Sequence, residues 1–169
     1  YYDQQLHRGI ARYARQAEWI LNTSMAHYGV LPEYWKGDGI ITLMFESRKD
    51  IVDYVRSTWA SVIDLTCNVD VDVPRVLLDN RRIGRLAAEH LIERGFTNLA
   101  FFRFTRAFDI DGRYEGFVEY VKEQGLSYHV LDWQSESANY GPGTDNWIAW
   151  LTEKLANIPR PLGVMAQSD

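Results

Sequence analysis

The chain has 169 residues, 46% hydrophobic and 24% charged, an ordinary globular composition with enough length for one substantial core or two small lobes. A net charge of −5 leaves no electrostatic footprint for gripping nucleic acid, so any contact with DNA is expected from residues outside this sequence. Cys67 stands alone, which excludes an internal disulfide and two-cysteine metal motifs, and no run approaches the roughly 20 apolar residues of a membrane span.

The chain has no initiator methionine, and Tyr1-Tyr2-Asp3 runs almost directly into a helix. From Gln4 to Ala17, Leu6, Ile10, Tyr13 and Ala17 fall on one helical face, with Asp3 placed as its N-cap. Trp19-Ile20-Leu21 reads as a short strand. Gly37-Asp38-Gly39 then punctuates the chain before Ile40 to Phe45, an apolar run suited to a buried parallel strand. A short helix is predicted from Asp50 to Trp59 and a strand from Ser61 to Leu65.

Val76-Leu77-Leu78 leads into Asp79-Asn80 and a helix through Arg94, facing inward with Ile83, Leu86, Ala87 and Leu91 and closed by Gly95 in a left-handed cap. A strand follows at Leu99 to Phe102. A helix from Gly112 to Gln124 turns Tyr114, Phe117, Val118 and Val121 inward and closes at Gly125. Tyr128 to Leu131 is a strand, and Asp145 to Ala156 a helix with Ile148, Leu151 and Leu155 on one side. Pro159 and Pro161 precede a last strand, Gly163 to Ala166, cut off just after Asp169, so the chain is expected to be a fragment at both ends. Strands alternating with helices imply an α/β fold with parallel sheets, because parallel neighbours need crossover connections.

In open α/β sheets ligands bind beyond the carboxyl ends of the strands. The positions there are Phe45 and Glu46, Thr66 and Cys67, the stretch 103–111, Trp133, and Ser168 with Asp169. Aromatics, carboxylates, arginines and small hydroxyls suit a sugar: rings cover its apolar faces and charged groups bond its hydroxyls. No G-x-G-x-x-G follows a strand and no P-loop signature occurs. His7, His27, His90 and His129 are scattered without ligand spacing, so neither a metal nor a cofactor is expected. No nucleophile with its own base and orienter suggests an enzyme.

Three segments make the reading specific. Val76-Leu77-Leu78-Asp79-Asn80, Gly84, Ala87-Ala88, His90-Leu91-Ile92, Arg94-Gly95-Phe96 and Leu99-Ala100-Phe101-Phe102 resemble the "LDN…G..AA.HLIERG…IAF" block of the lactose/galactose repressor superfamily. Arg113-Tyr114-Glu115-Gly116-Phe117 looks like that superfamily's "R..GF" helix start, and Val164 to Asp169 like its "VMA.ND" strand end, with Ser168 in place of the common Asn. Leu6 to Tyr13 is similar to the "LLRGIARY" helix of the xylose-operon regulators, and Trp147 to Met165 to their "LAAWL..LPKPVGVM" stretch. The match is poorest from Asn22 to Trp35.

The resemblance implies a two-lobed type I periplasmic-binding-protein-like fold, with residues 1–78 in the first lobe and 79–169 in the second. It implies a cytoplasmic, homodimeric transcription regulator whose cleft binds a sugar, D-xylose or a related pentose. An arabinose-regulator-type helix-turn-helix domain outside this chain would bind the DNA. By the same resemblance, Arg113 reaches the effector from the second lobe, Tyr1 or Tyr2 covers the sugar from the first, and Ser168 supplies a polar contact. Asp3 and Asp111 are each divided between effector and helix cap, whereas Asp79 reads as a cap and hinge residue. The alternatives are a periplasmic sugar-binding protein feeding a transporter and a small flavodoxin-like or nucleotide-binding enzyme.

Overall fold

The chain carries two separate parallel sheets, seen in a computed structural model that describes residues 2–31, 35–104, 112–137 and 146–167, with backbone alone for Tyr2 and Asp3. It opens with α1 (Tyr2–Gln16) and α2 (Ser24–Tyr28). Asp3 lies inside the first turn of α1 and not before it, so the expected N-cap role does not hold. The strand expected at Trp19-Ile20-Leu21 is not formed. Glu18 turns the chain through a left-handed conformation (φ 57°), and Ile20 is fully exposed. A strand exists by its neighbour's hydrogen bonds, and this segment has no ladder partner among the described residues.

The first sheet pairs β1 (Gly39–Thr42) with β2 (Ser61–Asp64), linked by the crossover helix α3 (Lys49–Ser57). β1 is shorter than its apolar run because the N–H of Met44 leaves the ladder and donates to the Asp64 carboxylate at 3.2 Å. Met44, Val52, Val55, Val62 and Val69 form the core beside this sheet. Val76 then bonds back to Asp64 O (3.0 Å), a brief contact before the chain moves on.

The second sheet is built from α4 (Asn80–Glu93), β3 (Asn98–Arg103), α5 (Arg113–Glu123), β4 (Tyr128–Asp132), α6 (Trp133–Glu136), α7 (Asn146–Ala156) and β5 (Leu162–Ala166). Its strand order is β4-β3-β5, all parallel. Asp79 caps α4 as expected, its side chain accepting from Arg82 N at 2.9 Å. α4 and α5 end alike, with Gly95 and Gly125 in left-handed backbone (φ 85° and 69°) and paired bonds reaching back to Ile92 and Leu91, and to Lys122 and Val121. Phe96 and Leu126, the next residues, fold against the core of Ala88, Leu99, Phe101, Phe117, Val118, Val121 and Met165. On the opposite face Trp150 of α7 is fully buried against Ala100, Leu131 and Ile158. The sheet is therefore covered on both sides, as parallel strands require. Among the described residues no helix is long and apolar enough to cross a membrane.

Candidate functional site

The order β4-β3-β5 reverses direction at β3: the chain leaves β3 through α5 to reach β4, then returns by α6 and α7 to the other side of β3. Right-handed crossovers put α5 and α7 on opposite faces, which opens a crevice between the carboxyl ends of β3 and β5. The residues that reach this crevice are Arg103, ending β3, and Gln167, just past β5. Gln167 N donates to Phe102 O at 2.9 Å, extending the ladder by one bond.

Arg113 meets that crevice from the first residue of α5. Its Nε donates to Asn80 Oδ1 at 2.9 Å and its Nη1 to the main-chain carbonyl of Gln167 at 2.6 Å. One guanidinium thus ties the start of α4, the start of α5 and the end of β5. The seat for it comes from the crossing of α4 on α5, where the backbones touch. A Cβ on Gly84 would lie 1.9 Å from Arg113 O, and one on Gly116 would lie 1.9 Å from Arg81 O. Only glycine admits that approach.

Beside it, Arg103 and Asp132 end the adjacent strands β3 and β4 and face each other at 3.8 Å, both largely buried. The Arg103 guanidinium also lies 4.6 Å over the Tyr114 ring. Burial, reinforced by the neighbouring Tyr128, holds the Tyr114 phenol above its ordinary pKa. Across the sheet, Phe102 stacks on Trp147 with ring centres 6.2 Å apart, and Phe104 meets the same indole edge-on at 5.6 Å. The carboxyl edge of the second sheet therefore offers cations, a carboxylate and exposed aromatic surface, a set that can hold a polyhydroxylated ligand.

The first sheet ends in a buried polar knot. Asp64, with no exposed surface, accepts from Met44 N and Thr66 N at 3.2 Å each, and the Thr66 hydroxyl lies 3.0 Å from its Oδ1. Arg75 approaches the other oxygen at 3.8 Å. Cys67 is half-buried and free.

Of the predicted site residues, Arg113 is the one whose side chain is described, and it sits at the crevice. Tyr1, Asp111 and Ser168 lie outside the described residues, as do the side chains of Tyr2 and Asp3. The N-cap of α5 is Gly112. Asn80 and Gln167 were missed as site residues. Asn80 follows a cap residue and reads as ordinary first-turn sequence, whereas Gln167 at the end of an apolar strand was a polar residue in an inward register, a legible signal. A depression of about 410 Å³ beside α4 and α5 is lined by Asp79, Arg81, Arg82, Arg85, Gly116 and Glu119. Two of its arginines are answered by carboxylates: Arg81 pairs with Glu119 and Arg85 with Glu123 at 3.0 Å, on exposed surface away from the strand ends. Among the described residues no group of three or more His, Cys, Asp or Glu side chains could hold a metal.

Residues 23–141 match the family of periplasmic binding proteins and sugar binding domain of LacI family. No curated protein matches the chain. Among solved structures, a periplasmic binding protein/LacI transcriptional regulator from Alkaliphilus metalliredigens, complexed with D-xylulofuranose, is similar at TM-score 0.58 and 17% identity, over 96% of this chain and 71% of its own. A sugar-binding LacI-family transcriptional regulator from Enterococcus faecalis is similar at TM-score 0.55 and 16% identity, over 96% and 70%. A LacI-family regulator from Mycobacterium smegmatis matches at TM-score 0.48 and 24% identity, over 78% of this chain and 58% of its own. The first two likenesses show the fold, an α/β type with parallel sheets flanked by helices. The chain belongs to the family of periplasmic binding proteins and LacI-family sugar-binding domains, a family of binding proteins and not of enzymes.

Proposed function

We propose that this chain is the effector-binding part of a bacterial transcription regulator that responds to a sugar, D-xylose or a related pentose. The observation that carries the proposal is Arg113, a partly buried guanidinium held by Asn80 and the Gln167 carbonyl at the crevice between β3 and β5. A fixed planar fork there suits adjacent hydroxyls better than a flexible ammonium would. Residues 1–78 would supply one wall of the cleft and 79–169 the other, with Tyr1 or Tyr2 covering the sugar ring and Asp3, Asp111 and Ser168 as polar partners. The pentose draws support from the xylose-regulator resemblance of Leu6 to Tyr13 and Trp147 to Met165. DNA would be bound by a helix-turn-helix domain beyond this chain, in a cytoplasmic homodimer, and the sugar would act by preferring one lobe arrangement over the other.

The family description also covers periplasmic binding proteins, so a transporter's binding component is the second reading. The two separate cleanly in cells. Genomic DNA recovered with the tagged intact protein should concentrate at a few sites, and D-xylose should change their occupancy. A protein that recovers no DNA and is found outside the inner membrane belongs to the second reading.

A further inference from the structure

Gln167 carries an anomaly that the sensor reading leaves unused. The residue is 5% exposed, and its side-chain Oε1 is buried with no hydrogen-bond partner among the described residues. Buried amide oxygens are nearly always bonded, because losing water without gaining a donor is costly. Its main chain is clamped on both sides: the N–H donates to Phe102 O at 2.9 Å, and the carbonyl accepts from Arg113 Nη1 at 2.6 Å. These bonds fix the backbone from which the side chain reaches, and so the region its amide can occupy.

The position matters as much as the unpartnered oxygen. Gln167 follows β5 at the crevice where the strand order reverses, in direct contact with the guanidinium proposed to hold the effector. The preceding inward residue of β5, Met165, packs in the core, so an apolar side chain was available to the sequence at this register. An amide placed there instead is a specific acceptor waiting for a donor.

We propose that the Gln167 side chain is a specificity-determining effector contact, its Oε1 accepting a hydrogen bond from one hydroxyl of the bound sugar. The inference rests on the sugar-sensor reading and adds a selection rule to it. A ligand lacking that hydroxyl leaves the acceptor buried and unpaired, which is how a polar site rejects a deoxy analogue.

Calorimetric titration of the intact protein and of Gln167→Met tests it. Both are titrated with D-xylose, D-ribose, L-arabinose and D-glucose, and with the single-deoxy forms of whichever binds tightest. Met keeps the side chain's length and removes the acceptor. The expected result is a loss of about 2- to 10-fold in affinity for the parent sugar, the range of one neutral hydrogen bond. One deoxy analogue should bind the variant as well as the parent sugar does, since removing both partners closes the thermodynamic cycle. The ligand-free melting temperature should stay level or rise, because the variant loses an unpaired acceptor. Unchanged affinities in the variant overturn the proposal, and so does a fall in ligand-free melting temperature with affinity intact, which marks a purely structural amide. Should the Met variant not fold, Gln167→Asn withdraws the acceptor by one methylene and is read the same way. A wild-type protein silent to every sugar removes the sensor reading together with this contact. A wild type that binds while the variant binds equally removes the contact alone.

Discussion

Asp64 and Arg113 show two ways of keeping a charge in a protein interior. Asp64 is fully buried and spends its carboxylate on structure: the N–H groups of Met44 and Thr66 both point at Oδ1, and Arg75 faces Oδ2. Asp64→Ala leaves two buried donors without an acceptor and should cost about 3 kcal/mol in urea unfolding. Asp64→Asn keeps an oxygen for both donors and should cost distinctly less. Equal losses would place the stability in the charge and not in the two bonds. Arg113 instead bonds Asn80 and the Gln167 carbonyl at the carboxyl edge of the second sheet, where the effector is proposed to bind. At this scale the sequence was partly legible. Asp79 was read correctly as a cap because cap chemistry is local, whereas Asn80 and Gln167 take their meaning from α5, which is distant in sequence.

The element scale turns on how α4 meets α5. Gly84 and Gly116 let the two helices touch through their backbones, and the contact seats Arg113 beside Asn80. Gly84→Ala forces a methyl into the Arg113 carbonyl and should destabilise by roughly 1–3 kcal/mol or more. Gly9→Ala is the control. Gly9 lies in α1 with nothing within 4 Å of a new Cβ, so alanine there should stabilise by up to about 1 kcal/mol through helix propensity. Thermal melts that moved together for both variants would refute the close-crossing account. α6 and α7 are tied differently, by Glu136, which accepts from Trp150 Nε1 at 2.9 Å and pairs with Lys154 at 2.6 Å. The Lys154 ammonium, and then the Trp150 indole, hold the Glu136 carboxyl below its usual range. A carboxylate with a lowered folded pKa contributes stability that is complete above the unfolded value and is lost as pH falls through the folded one. Glu136→Gln should therefore flatten the acid side of the stability profile, by a small amount because both partners are over a third exposed. An unchanged acid limb would mean that the tether adds nothing. Periodicity found nearly every long helix and every strand that was formed. It failed at 19–21, where an apolar triplet has no neighbouring strand among the described residues to make it one.

For the molecule as a whole, alternation of strands and helices was enough to reach α/β, and the ordered motifs from Val76 to Asp169 were enough to reach the family. The sheet order was not legible from periodicity, because β4-β3-β5 depends on which helix covers which face. That order creates the crevice, and the crevice gives Arg113 its meaning. The central claim, a sugar held there by Arg113, is tested most directly by thermal melting of the intact protein against pentoses and hexoses. A ligand at 100 times its dissociation constant adds about 2.7 kcal/mol. At about 2–4 °C per kcal/mol for a domain of this size, that is a rise of several degrees. The account predicts such a rise with D-xylose or a close pentose, lost in Arg113→Ala. A flat response to every sugar, or a rise that Arg113→Ala leaves intact, would contradict it.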